Sequence, residues 1–105
     1  MGFVSVYITA KDAKEARKIS EALVKERLVA CANILPKIES FYWWNNKLQN
    51  EPEAAIIGKS RSENAEKIIR RVKQLHSYGA PCIVFWPIIK GSKDFLDWIK
   101  KETRE

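Results

Sequence analysis

The stretch LVACANILPKIESFYWWNNK, residues 28–47, decides how this chain folds. It runs as an apolar strand broken by Pro36 and ends in four consecutive aromatics, Phe41, Tyr42, Trp43 and Trp44. Asn45 and Asn46 follow, and Asn tolerates the positive φ that a two-residue hairpin turn requires. Consecutive strand residues point to alternate faces, so Phe41 and Trp43 go one way and Tyr42 and Trp44 the other. Both faces of the hairpin are therefore apolar. A chain of 105 residues is too short to cover both by itself, and other copies of the same protein are the expected cover.

Before this stretch, residues 3–9 (FVSVYIT) are β-branched and aromatic and predict a strand. Asp12 and Glu15 have capping-box spacing, and Ala16, Ile19 and Leu23 recur at helical spacing, which predicts an amphipathic helix over 12–27. After the turn, Asn50, Glu51 and Pro52 are expected to interrupt the return strand before it completes over 53–59. Ser60 and Glu63 form a second capping-box pattern ahead of Ala65, Ile68, Ile69, Val72 and Leu75, a helix that stops near His76. Residues 82–86 (CIVFW) read as a strand closed by Pro87. Ser92 caps a last helix carrying Phe95, Leu96, Trp98 and Ile99, and the charged tail KKETRE is expected to fray.

The order is β-α-β-β-α-β with an added C-terminal helix, in one domain over 1–105. Two right-handed crossovers pack both main helices on one face of a four-stranded antiparallel sheet with strand order 4-1-3-2. This α+β architecture is ferredoxin-like, a fold that hosts many functions and so decides no chemistry.

Composition narrows the partners. No run of about 18 apolar residues exists to span a membrane, and MGFVSVYITAKD carries no secretory signal pattern, so a cytoplasmic protein is expected. The net charge of +6 raises the prior for polyanions. Its lysines and arginines are interleaved with acids, however, with Glu21/Lys25, Glu63/Lys67 and Glu66/Arg70 at (i, i+4), the pattern of a solvated surface. Nucleic acid is an unfavoured partner: the aromatics are adjacent rather than spread over two central strands, and no RNP-type pattern accompanies them. No P-loop, dinucleotide turn or nucleophile–base pairing is visible, and no enzymatic activity is expected.

From the hairpin outward the chain resembles the CutA family of divalent-cation tolerance proteins. The matching stretches are Cys31-Ala32-Asn33-Ile34-Leu35-Pro36, Ser40-Phe41-Tyr42-Trp43-Trp44 and Lys47, with Thr9-Ala10 and Phe95-Leu96-Asp97-Trp98 also fitting. His76-Ser77-Tyr78-Gly79-Ala80-Pro81 resembles the family's His-Pro-Tyr-acid-x-Pro signature, with Ser77 in place of Pro and Gly79 in place of the polar residue. Cys82 stands where the family usually carries Glu, Asn45-Asn46 replaces an acid-Gly turn, and Ile8 lies where some relatives place a thiol. The resemblance implies a homotrimer with Tyr42, Trp43 and Trp44 at its interface. It also implies tolerance of, or response to, divalent metal ions, with copper the usual candidate and no obligatory cofactor. A ligand-sensing signal trimer of the nitrogen-regulatory type and an RNA-binding sheet module are the competing readings.

His76, the lone histidine, is either a ligand for a soft or borderline cation or a helix-end residue whose charged form suits the carbonyl end of the dipole. Cys31 is a candidate metal thiolate, and Cys31 and Cys82 are equally small hydrophobes in apolar strands. On opposite edge strands they lie on the order of 14 Å apart, beyond the about 7 Å limit for a disulfide. No intrachain bridge is expected, and a pair across subunits stays open.

Overall fold

In the computed structural model, which describes residues 2–104, the chain runs β1 (Phe3–Ala10), α1 (Ala13–Lys25), β2 (Cys31–Trp44), β3 (Lys47–Arg61), α2 (Ala65–Leu75), β4 (Ile83–Ile88) and α3 (Lys93–Glu102). The strands form a single sheet in the order β2-β3-β1-β4 with antiparallel neighbours. This is the ferredoxin-like α+β arrangement, with the added helix and the long hairpin.

The pleat sorts the sheet into two unlike faces. Val6, Ile8 and Ala10 of β1 and Ala54 and Ile56 of β3 turn to one side and bury completely against Ala16, Ile19 and Leu23 of α1 and Ile68 and Val72 of α2. Gly58 belongs to this face. A Cβ there would come within 3.0 Å of Val6 Cγ1 and 3.3 Å of the Cys31 carbonyl oxygen, so glycine is what lets β2 and β1 close on β3. The other face, carrying Thr9, Glu51, Glu53 and Ala55, has no helix of the α1–α2 pair upon it.

The hairpin turn is as the Asn pair dictates, with φ of 51° at Asn45 and 60° at Asn46. Pro36 falls in a register irregularity between Leu35 and Ile38, the bulge that a proline in a long strand demands. The expected break at residues 50–52 does not occur. Pro52 pairs with Glu39 inside a continuous β3, and β1 begins to pair only from Ala54, so β3 has a partner on one side there and tolerates the missing N–H. Pro87 likewise sits within β4, an edge strand, opposite Val4, while Cys82 lies just before that strand begins.

Asp12 caps α1 by accepting from the Glu15 N–H at 2.8 Å, but Glu15 answers to Lys11 rather than to Asp12, so the box is offset by one residue. That helix ends at Lys25, two residues short of expectation, because Arg27 takes φ 63° and the Leu28 N–H returns to the Leu23 carbonyl. The second capping box is not formed. Ser60 is a buried β3 residue whose hydroxyl donates to the Leu28 carbonyl at 2.6 Å, and α2 is led in by a 3₁₀ turn over Ser62–Asn64.

The C-terminal segment is tied rather than frayed. Thr103 is buried and accepts from Arg61 Nε at 2.9 Å, Arg27 pairs with Glu102, and the Arg104 N–H donates to the Arg27 carbonyl. Glu105 lies outside the described residues.

Candidate functional site

The chemistry-bearing side chains gather where α2 ends against the end of β1. The α2 helix stops at Leu75 and His76 swings into an extended conformation, which drops its ring under the loop that follows. The side chain is fully buried. Its Nε2 lies 2.7 Å from the Thr9 carbonyl oxygen, and its Nδ1 lies 3.1 Å from the Tyr78 backbone N. A carbonyl only accepts and an amide N–H only donates, so the ring is the Nε2–H tautomer with the Nδ1 lone pair occupied.

Glu15 lies beside it. One carboxylate oxygen accepts from the Lys11 N–H at 3.1 Å, the other from the Ser77 N–H at 2.9 Å, and Oε1 is 3.8 Å from His76 Nδ1. Burial pushes this carboxyl up, but the Lys11 N–H and the Ser77 hydroxyl and N–H outweigh it and hold the group below its ordinary value. Thus Glu15, which the sequence presents only as a capping residue, joins the α1 start to the loop after α2.

The loop then crosses to the helix-free face of the sheet. Tyr78 donates its phenol to Glu53 at 2.8 Å, and burial together with that carboxylate pushes the phenol well up. Cys82, next to Thr9, has its thiol raised chiefly by burial and then by Glu53, so it is the thiol and not the thiolate at neutral pH. Between this loop and the hairpin lies a cleft of about 660 Å³, floored by Glu51 and Glu53 and walled by Tyr42, Trp44 and Tyr78. Tyr42 donates to Glu51 across the hairpin.

Cys31 is elsewhere. It opens β2 opposite Lys59, which pairs in turn with Ser5, so it is two strands across and four residues along from Thr9. That places it roughly 16 Å from Thr9 by strand geometry. Cys31 and Cys82 are both free thiols on opposite sides of the sheet. Among the described residues, no three His, Cys, Asp or Glu side chains gather so as to hold a metal ion.

The aromatics of the hairpin stand beyond the reach of α1 and α2. Phe41 is 65% exposed, Trp43 72%, Trp44 62% and Leu48 63% in the single chain. Tyr42 and Trp44 share the cleft face with Gln49 and Glu51, whereas Phe41 and Trp43 share the other with Leu48. The sequence pattern anticipated this two-sided apolar ribbon. It held no signal for Glu53 or for the Tyr78 contact, which depend on a loop crossing from one face of the sheet to the other.

The ferredoxin-like sheet with its projecting hairpin places the chain among the small α+β proteins. Within that class the chain belongs to the CutA1 divalent ion tolerance protein family, whose profile matches residues 4–102. The divalent-cation tolerance protein CutA of Archaeoglobus fulgidus is 47% identical over 94 residues, covering 90% of this chain and 91% of its own length. The solved structure of a periplasmic divalent cation tolerance protein CutA from the same organism superposes with a TM-score of 0.93 at 43% identity, covering 95% of this chain and 97% of that one. The chloroplastic CutA 1 of Oryza sativa is 35% identical over 97% of this chain, which spans 58% of that relative's length. None of the described helices is long and apolar enough to cross a membrane.

Proposed function

We propose that this chain acts as a homotrimer in tolerance of, or response to, divalent metal ions, copper among them, and that it binds those ions weakly as cargo rather than as a resident cofactor. The observation that carries the reading is the His76–Glu15 pair, an imidazole nitrogen 3.8 Å from a carboxylate oxygen. Neutral imidazole suits borderline cations such as Cu(II). Its lone pair is engaged by the Tyr78 N–H, so an ion must displace that backbone contact, and two donors fall short of the three or four that tight binding takes. Weak binding follows.

A trimer completes what one chain leaves open. The β2 and β4 edges carry unpaired backbone groups, and a head-to-tail contact between unlike edges closes into a ring. Tyr42, Trp43 and Trp44 supply its apolar surface. Cys31, on the β2 edge, then meets a neighbour's β4 edge and is available as a further soft donor. The role is one of binding without catalysis, and the unpaired Cys31 and Cys82 favour the cytoplasm. A nitrogen-regulatory type of nucleotide sensing is disfavoured by the cleft, which sets two carboxylates and no lysine or arginine before a phosphate. Metal content and affinity measured on purified, tag-free protein test the reading. Retention or binding of copper supports it, and affinity for nucleotide but not for metal overturns it.

A further inference from the structure

We propose that Ile89 of one copy seats in the apolar groove between the end of α1 and α3 of the next copy. This rests on the three-fold ring proposed above and adds the side chain that locks each junction. The groove holds about 460 Å³ and is lined by Val24, Val29, Ala30 and Trp98. Val24 and Trp98 are each left 39% exposed in the single chain. Ile89 is 93% exposed, more than any other large hydrophobic among the described residues. The groove adjoins Ala30, just before the β2 edge, and Ile89 lies just after the β4 edge. One molecule thus carries an uncovered apolar knob at one edge of its sheet and an unfilled apolar hole at the other, the condition for head-to-tail contact.

Strand direction brings the two together. β1 runs antiparallel to both β3 and β4, and β2 runs antiparallel to β3, so β2 and β4 run in opposite directions. A three-fold rotation lays one edge beside the other only when the strands run along the axis, and it then changes neither their direction nor their height. β2 therefore meets the neighbouring copy's β4 antiparallel and at the same level.

The register fixes that level. Cys31 pairs with Lys59, Lys59 with Ser5 and Ser5 with Trp86, so these four form one row across the sheet. Ring closure sets Cys31 beside Trp86 of the neighbouring copy. From there the neighbour's chain runs three residues, about 10 Å, to its Ile89. It runs in the direction that leads from Cys31 back through Ala30 and Val29 to the groove. Ile83 and Phe85 of β4 pack on the helix side of the sheet, and Ile89 continues their alternation one residue past the strand. That is the side on which α1 lies.

The test is a Val24→Cys/Ile89→Cys protein in a Cys31→Ser/Cys82→Ser background, oxidised with diamide and run on a denaturing gel without reductant. The β2 and β4 edges stand three strand spacings apart, about 14 Å, so the pair bridges between chains and not within one. Bands at two and three chain masses are expected, and neither single-cysteine variant gives them. Ile89→Asp, at a position exposed in the single chain, keeps the parent's circular dichroism. It is expected to dissociate at a protein concentration at least about tenfold higher than the parent does. A cysteine pair that stays uncrosslinked in a protein shown to be trimeric by light scattering overturns the proposal and leaves the ring standing. So does an Ile89→Asp protein that dissociates as the parent does. A monomeric parent overturns both.

Discussion

The ring of His76 donates through Nε2 to the carbonyl oxygen of Thr9 over 2.7 Å, joining the end of α2 to the end of β1. The same ring accepts the Tyr78 N–H, and the adjacent Ser77 N–H goes to Glu15. One buried imidazole and one carboxylate thereby fix the path by which the loop leaves the helical layer and reaches the open face of the sheet.

Glu15 gives this corner a pH dependence. Its folded-state carboxyl lies below its ordinary value, so its contribution is fully present above the unfolded value of about 4.3 and is lost as pH falls through the lower folded value. Glu15→Gln is expected to lower the melting temperature at pH 7 and to flatten its fall between neutral and acid pH. Melting curves for both proteins across the acid range check this. A variant as stable as the parent at pH 7, with the same acid slope, would show that the carboxylate contributes nothing.

Ser60 and Asn64 both reach the Leu28 carbonyl, at 2.6 Å and 3.2 Å, and both are fully buried. Ser60→Ala removes the shorter of these bonds and leaves the Asn64 amide as the remaining donor. A loss of about 1–2 kcal/mol is expected, read from urea unfolding with an unchanged m-value. No loss would mean that Asn64 alone satisfies the carbonyl.

Much of this fold was legible because strand and helix periods differ. Val6, Ile8 and Ala10 alternate while Ala16, Ile19 and Leu23 recur by threes and fours, and the Asn45-Asn46 turn names its own geometry. The failures share a cause. Pro52, Pro87 and Ser60 were read by local propensity, whereas their states depend on which strand lies beside them. Pro52 sits where β3 lacks its second neighbour, Pro87 lies on an edge, and Ser60 is drawn into the sheet by a carbonyl 32 residues earlier. Of the site, His76 stood out by chemistry alone. Glu53 and Tyr78, which are 25 residues apart, meet only because of the crossing loop.

The exposed hairpin predicts the assembly. Light scattering is expected to give three times the 12.2 kDa chain mass. Replacing Trp43 and Trp44 together with Ser should yield a smaller species or one that melts far lower, since truncating a packed large aromatic costs about 3–5 kcal/mol. The circular dichroism of the single chain should change little, because neither residue belongs to the helix-covered core. A double variant that remains trimeric with an unchanged melting temperature would mean that these aromatics face solvent in the assembly.

The measurement closest to the central claim is a calorimetric titration of Cu(II) into the purified, tag-free protein, set beside His76→Ala. Weak saturable binding is predicted, because the described site offers fewer donors than tight binding takes. The variant should lose at least about tenfold in affinity, roughly 1.4 kcal/mol, while light scattering shows the same assembly. A variant of unchanged assembly that binds Cu(II) as the parent does, or a parent that takes up none, would contradict the account.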